Sequence, residues 1–152
     1  MIKKNLIKII LIFFFISGCG YNPIFSNKNS NFSIYELSTT GNSKLNKIIN
    51  NRLSNYQGIN SQKKFSITIE TIYNKKVASR DTKGNPKTYS VNLKSIVLVT
   101  DLEGNEYKKS FLKSINYNNR DDKSNLKKYE NQTSKNLAKK ISEEIIIYLR
   151  SI

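Results

Sequence analysis

The sequence predicts an α+β protein, a two-layer α/β sandwich in which a four-stranded mixed sheet carries two helices on one face. Segments that alternate apolar and polar residues, as half-buried strands do, combine with two segments of helical apolar spacing in the order β-α-β-β-β-α. The helix between the first two strands favours a parallel pair, and the short connections between the last three favour an antiparallel meander. Each helix is apolar along one stripe only, so both can cover the same face of the sheet.

The first three elements have clear boundaries. Strands are predicted at Asn31–Leu37 and Lys63–Tyr73, because both alternate apolar and polar residues. A helix between them is predicted to begin after an N-cap at Ser43 and to end at Gly58. Its apolar stripe consists of Leu45, Ile48, Ile49, Leu53 and Tyr56.

The second half contains two more strands and a long helix. The strands are predicted at Thr88–Thr100 and Glu106–Tyr117, joined by the turn Asp101–Asn105. The segment Asn74–Lys87 is predicted to be a polar loop because it is rich in turn-forming and charged residues. Ser124 is the predicted N-cap of the last helix. Its apolar stripe is Leu126, Tyr129, Thr133, Leu137, Ala138, Ile141, Ile145, Tyr148 and Leu149.

One strand is more apolar than a two-layer fold requires. Residues Ile96–Val99 are apolar on both faces of the predicted third strand. In a sheet with helices on one face only, half of these side chains would meet water. Two interpretations remain open: a loop of this chain covers them, or a partner does.

The composition argues against an enzyme. The 152 residues suit a single domain and include no histidine and one cysteine, Cys19. Histidine is the side chain used most often for acid–base catalysis near neutral pH, and a lone cysteine cannot build a zinc site or a disulfide framework. The adjacent carboxylates Asp121-Asp122 and Glu143-Glu144 are expected to point apart on solvated faces, and no glycine-rich phosphate loop is present. We therefore expect neither an enzymatic activity nor a bound metal or cofactor.

The N-terminus predicts a lipoprotein signal peptide over residues 1–18. Three lysines precede the apolar run Ile9–Ile16, which is far shorter than the about 20 residues of a membrane-spanning helix. The junction Ile16-Ser17-Gly18-Cys19 resembles the bacterial lipobox, in which the cysteine thiol accepts a lipid and the residue becomes the new N-terminus. We therefore predict lipidation of Cys19, a lipidated tether over residues 19–30 and a single α/β domain over residues 31–152.

Residue 20 bears on the membrane to which the protein is sorted. In enteric lipoproteins an Asp after the lipidated cysteine retains the protein at the inner membrane, and this chain has Gly20 there. By that resemblance we expect a lipid-anchored protein on the periplasmic side of the outer membrane.

The basic residues indicate an anionic ligand. The chain has 26 Lys and Arg against 11 Asp and Glu, for a net charge of +15. Such a charge favours lipid headgroups, polyanions or an acidic partner. A nucleic-acid partner is not expected, because the signal peptide exports the chain.

Five cations lie close together with only Asp81 opposing them, and they are the predicted glycolipid contacts: Lys75, Lys76, Arg80, Lys83 and Lys87. The alternative is an ordinary solvated, lysine-rich hairpin.

The start of the mature chain carries a family resemblance. The segment Cys19–Phe25, with the sequence Cys-Gly-Tyr-Asn-Pro-Ile-Phe, resembles the start of the lipopolysaccharide-assembly lipoproteins (LptE). The helix Lys44–Leu53, the turn with Asp101 and Gly104, and the pair Tyr117-Asn118 before the last helix resemble that family as well. The resemblance implies a sheet backed by two helices and a role as partner of an outer-membrane β-barrel.

Two functions therefore remain open at this stage. The resemblance implies that the chain assembles with a β-barrel translocon and assists delivery of lipopolysaccharide, or another anionic glycolipid, to the cell surface. The alternative is a free-standing, periplasm-facing lipoprotein that binds anionic lipid or another polyanion. The first predicts an obligate barrel partner, and the second predicts a protein that is complete alone.

Overall fold

The computed structural model describes residues 30–152, so the predicted signal peptide, Cys19 and the tether up to residue 29 lie outside the described residues. The elements follow the predicted order β-α-β-β-β-α. They are β1 (Phe32–Gly41), α1 (Ser43–Leu53), β2 (Lys63–Arg80), β3 (Pro86–Asp101), β4 (Glu106–Asn118) and α2 (Lys123–Ser151). The strand order is β1-β2-β3-β4, with β1 parallel to β2 and the other pairs antiparallel. The predicted α+β fold is confirmed.

The core lies between the two helices and one face of the sheet. Alternate residues of β2 and β3 face the helices and are fully buried, among them Ile67, Ile69 and Val97. At the end of the sheet where β1 begins, Phe32 stacks on Tyr56 with ring centroids 4.9 Å apart. The predicted stripes of both helices supply the opposite wall of the core, because their apolar residues recur at helical spacing.

Both predicted helix caps are wrong by one or two positions. The N-cap of α1 is Asn42, whose side chain accepts a hydrogen bond from the backbone N–H of Leu45 at 3.1 Å. The N-cap of α2 is Asp122, whose carboxylate accepts from the N–H groups of Ser124 and Asn125. At each site a residue one or two positions earlier supplies the capping acceptor, so the predicted serine becomes helical.

The predicted loop Asn74–Lys87 is also wrong, because most of it is strand. Cross-strand pairing with β3 continues from Asn74 to Arg80, and only residues 81–85 form the turn. The side chains of residues 78–80 are all exposed, which explains why no apolar alternation marked them. Backbone pairing extends the strand where the side chains give no signal.

The first strand is longer than predicted, because a bulge interrupts the alternation on which the prediction rests. The register with β2 shifts between Ile34 and Glu36, which reverses the alternation of buried and exposed residues after Ile34. The strand then continues to Gly41, which has φ +92° and lies against β2. A Cβ atom at Gly41 would lie 2.1 Å from the carbonyl oxygen of Thr71, the same oxygen that accepts a hydrogen bond from the N–H of Asn42 at 3.0 Å. Glycine is therefore required where β1 turns into α1.

Candidate anion-binding hairpin and open sheet face

The two hairpin turns of the sheet have the same sequence pattern and the same geometry. Residues 81–85 and residues 101–105 both read Asp-x-x-Gly-Asn. In the first turn, Asp81 Oδ1 accepts from the N–H groups of Lys83 (2.9 Å) and Asn85 (2.8 Å), and Asp101 makes the matching bonds in the second. The N–H of Asn85 is the largest cause of the lowered pKa of Asp81. The repeated pattern is a sequence signal for the first hairpin that the analysis of alternation missed.

Four of the five predicted anion-contact residues lie exposed around the β2–β3 turn. Lys76 is on β2 and faces away from the helices, and Lys83 is in the turn itself. Arg80 closes the turn, since its Nη1 donates to the carbonyl oxygen of Gly84 at 2.8 Å. Lys87 lies at the start of β3. These four cations outnumber the one carboxylate of the turn, Asp81, so the hairpin tip presents a local excess of positive charge.

Lys75 differs from the other four because its ammonium pairs with a carboxylate of α2. Its Nζ donates to Glu130 Oε1 of α2 and lies 4.3 Å from the centroid of the Tyr89 ring. The same Glu130 oxygen accepts a hydrogen bond from the hydroxyl of Tyr117 at 2.7 Å. We call Lys75, Glu130 and Tyr117 the hairpin clamp. It joins β2, β4 and α2, and an anion could take Lys75 only by displacing Glu130.

The electrostatics of the clamp follow from its partial burial. The Glu130 side chain is 19% exposed. Burial raises the pKa of Glu130, but the hydrogen bonds from Lys75 and Tyr117 outweigh it, so the net pKa lies below the ordinary value. Burial, followed by the Glu130 carboxylate, raises the pKa of Tyr117. The clamp is therefore an ionised carboxylate held by two donors at neutral pH.

Aromatic rings support the base of the hairpin. Tyr117 lies between Tyr89 (5.7 Å between centroids) and Tyr129 (5.6 Å), and the Arg120 guanidinium lies 4.6 Å from the Tyr129 ring. Such ring pairs pack favourably in offset and edge-to-face arrangements. They connect β3, β4 and α2, which gives the projecting hairpin a rigid base.

A polar cleft of about 530 Å³ lies beside the β2–β3 turn. Two lysines line it, Lys87 from β3 and Lys123 from the first turn of α2, together with Asn119 and two carboxylates, Asp81 and Asp121. The cleft therefore places a fifth cation, Lys123, near the hairpin cations. The sequence analysis missed Lys123 because it lies 36 positions from Lys87 and only the fold brings the two together.

The second candidate surface is the face of the sheet opposite the helices, which we call the open face. Its apolar side chains are Ile96 and Leu98, both half-buried, with Ile72 (44% exposed) and Leu112 (60% exposed). Lys94 lies between Ile72 and Leu112 across the three strands. Within residues 30–152 both helices pack on the other face, so neither helix covers Ile96 or Leu98.

In residues 30–152, no three His, Cys, Asp or Glu side chains converge as metal ligands would. No helix in that range is both long and apolar enough to cross a bilayer.

Comparison with known proteins identifies the fold. Neither a protein-family model nor a curated protein matches the sequence. The structure is similar to that of rare lipoprotein B from Shewanella oneidensis, with 13% identity and a TM-score of 0.61 over 78% of this chain and 95% of that chain. It is also similar to lipoprotein B from Nitrosomonas europaea, with 14% identity and a TM-score of 0.60 over 84% of this chain and 88% of that chain. A minor lipoprotein from Acinetobacter baumannii is similar as well, with 12% identity and a TM-score of 0.55 over 79% of this chain and 95% of that chain. The chain therefore has a fold that occurs in bacterial lipoproteins.

Proposed function

We propose that this chain is an outer-membrane lipoprotein, anchored through Cys19, that assembles with a β-barrel translocon and assists delivery of lipopolysaccharide to the cell surface. The lipobox-like junction at Cys19, the resemblance at Cys19–Phe25 and the fold shared with bacterial lipoproteins support this proposal together. The domain faces the periplasm, and its barrel partner is an integral part of its function.

The observation that carries the assembly role is the open face. Ile96 and Leu98 lie on the face that the domain's own helices leave uncovered, and Ile72 and Leu112 widen the apolar area. Apolar patches of this kind mark protein interaction sites. Lys94 in the middle of the patch favours a partner surface that also offers an acceptor.

Replacement of the open-face residues tests the assembly role. The variant Ile96→Thr/Leu98→Thr keeps β-branched or strand-compatible side chains while removing apolar surface. We expect recovery of the barrel with the affinity-tagged full chain, from outer membranes in mild detergent, to fall at least tenfold. Ile147→Thr, at a 57% exposed position of α2 on the other side of the molecule, is the matched control and should recover the barrel normally. Equal recovery with both variants would contradict the use of the open face.

The lipid anchor is tested separately. Mass spectrometry of the N-terminal peptide should show cleavage before Cys19 and acyl groups on that residue. Cys19→Ala should leave the chain uncleaved and absent from the outer-membrane fraction. An intact Met1 or a free Cys19 thiol in the membrane-purified protein would refute the lipoprotein assignment.

The second candidate function is a free-standing lipoprotein that binds anionic lipid or polyanion. The exposed cations around the β2–β3 turn favour it, because Lys76, Arg80 and Lys83 face solvent and are opposed by one carboxylate of the turn, Asp81. This function predicts a monodisperse monomer in detergent that binds glycolipid unaided. The barrel-recovery experiment separates the two candidates.

A further inference from the structure

We propose that the outer edge of β4 is a docking site at which an extended, acidic segment of a partner protein adds to the sheet as a fifth strand, antiparallel to β4. Backbone hydrogen bonds hold the added segment, and its carboxylates lie beside the lysines of β4. This interaction uses the edge of the sheet and not the open face. It therefore goes beyond the proposed barrel assembly and does not depend on it.

The outer edge of β4 offers a long row of backbone donors and acceptors. β4 is the last strand in the order β1-β2-β3-β4, and within residues 30–152 its outer side has no strand neighbour. The N–H of Asn119 donates to the carbonyl oxygen of Lys87 at 2.8 Å, so the odd-numbered residues of β4 bond to β3 and the even-numbered residues point outward. The even-numbered residues from Glu106 to Asn118 are therefore available to a further strand.

The opposite edge of the sheet, at β1, is protected. The register of β1 with β2 shifts after Ile34, and Gln57 forms a bridge to Ile34. Further along β1, the Asn46 side chain of α1 donates to the carbonyl oxygen of Thr40 at 2.9 Å. Bulges and covering helices are common ways of protecting a sheet edge. The register of β4 with β3 is unbroken and β4 contains no proline, so its edge remains a regular template for pairing.

The charges along β4 determine which partner fits. Lys108, Lys109 and Lys113 all lie on this strand, and Glu106 is its one carboxylate. Opposite charges on neighbouring strands stabilise a sheet, and like charges directly opposite each other destabilise it. A second copy of the chain would bring a second set of lysines to the same edge. An acidic strand would instead pair with these lysines.

The two sides of β4 define the pattern of the added strand. On the helix-covered side, Lys109 Nζ lies 4.4 Å from the centroid of the Tyr148 ring. Lys113 pairs there with Glu144, whose side chain is 40% exposed, so that ammonium group remains accessible from the edge. On the open-face side, Leu112 is 60% exposed and favours an apolar neighbour. Because successive strand residues point to opposite faces, we expect the partner segment to alternate acidic and apolar residues.

Labelled peptides test the pairing on the full chain purified from membranes in mild detergent. The probe is a capped, fluorescent Val-Glu-Val-Glu-Val-Glu-Val, whose binding is measured by fluorescence anisotropy. With glutamates beside Lys109 and Lys113, its valines lie opposite the even-numbered residues of β4, and in an antiparallel pair their N–H groups bond to β4. N-methylation of the valines should therefore weaken binding at least tenfold relative to N-methylation of the glutamates. The two methylated peptides have equal charge, so general attraction to a basic protein cannot produce this difference.

A substitution in β4 provides the reciprocal test. The N–H of Ser110 points outward, so Ser110→Pro removes a donor from the edge and none from the ladder with β3. This variant should bind the unmethylated probe at least tenfold more weakly than the original chain does. Ser110→Ala, the matched control, keeps the N–H and should bind normally. Urea unfolding measures whether both variants are folded, and the methylated peptides decide the question if Ser110→Pro is not.

Three results would overturn the proposal: equal binding of the two methylated peptides, equal binding by the two folded Ser110 variants, or equal binding of a Val-Lys-Val-Lys-Val-Lys-Val peptide. A dimer of the chain in native mass spectrometry that Ser110→Pro abolishes would also overturn it, because the edge would then belong to a second copy.

Discussion

At the residue scale, Glu130 is the carboxylate with the most consequence for the hairpin. It receives the Lys75 ammonium and the Tyr117 hydroxyl, and thereby joins two strands to α2. The predicted role of Lys75 as a solvent-facing anion contact stays a prediction, but the structure gives this lysine a partner that the other four lack. The sequence could not show this pairing, because the clamp residues are spread over 56 positions from 75 to 130.

Glu130→Gln should destabilise the protein by about 1.5–3 kcal/mol at pH 7, because hydrogen bonds to a charged group contribute about that much. The pKa of Glu130 is lowered by folding, so its contribution is present above the ordinary value of 4.5 and is lost as the pH falls through the lowered pKa. Urea unfolding of both proteins at pH 7 and pH 3 measures this. The stability difference should shrink at the lower pH.

Glu143→Gln is the control for that experiment. Glu143 pairs with Arg52 at 2.9 Å, but both side chains are more than a third exposed. Surface pairs of this kind contribute about 0–1 kcal/mol. Equal destabilisation by the two substitutions would mean that the clamp is no more than a surface ion pair.

Gly41→Ala should be among the most damaging single substitutions in the domain. The alanine Cβ would lie 2.1 Å from the Thr71 carbonyl oxygen, so β1 and β2 must move apart in addition to the strain of the positive φ. Gly104 has a similar φ of +86° with open space around it, and Gly104→Ala should cost only about 1–2 kcal/mol. The free energies of unfolding compare the two, and the Gly41 variant should lose at least about 2 kcal/mol more. Similar losses would show that β1 can move away from β2.

At the element scale, sequence patterns predicted the strands wherever one face is buried. Alternation located the core half of β2 and β3 correctly, because burial of one face imposes period-two spacing. It failed from Asn74 to Arg80, where both faces are largely wet and backbone pairing alone extends the strand. In β1 the cause is different: the bulge after Ile34 reverses the alternation, so the second half of the strand was not predicted. Only the repeated Asp-x-x-Gly-Asn pattern could have shown the hairpin.

The hairpin cations give a prediction for this element. Lys76→Ala/Arg80→Ala/Lys83→Ala should weaken binding to vesicles that contain anionic glycolipid by about 100-fold at low salt, since each cation near an anionic surface contributes about 1 kcal/mol. Lys75 is left in place because its removal would break the clamp. The difference should shrink at high salt, because mobile ions screen exposed charges.

A second triple variant controls for net charge. Lys135→Ala/Lys139→Ala/Lys140→Ala removes the same charge from exposed positions of α2, far along the chain from the hairpin. Its binding should change far less than that of the hairpin variant. If both variants lose affinity equally, the net charge of the domain governs binding and the hairpin has no special role.

At the scale of the whole molecule, the sheet separates surfaces of different character. Its helix-covered face holds the core, its open face carries exposed and half-buried apolar residues, and its two ends carry the chain entry and the cationic hairpin. The sequence predicted the architecture and the excess of apolar residues at Ile96–Val99. It did not predict how the cations divide between clamp and tip, because that division depends on contacts between β2, β4 and α2.

Native mass spectrometry of the tagged full chain, released from outer membranes in mild detergent, tests the central claim most directly. We expect one species in which a single copy of this chain, heavier than its mature polypeptide by the acyl groups on Cys19, is bound to a single β-barrel protein. A monomer without a barrel, recovered under conditions that keep other barrel complexes intact, would contradict the assembly role. A mass without acyl groups would contradict the anchor.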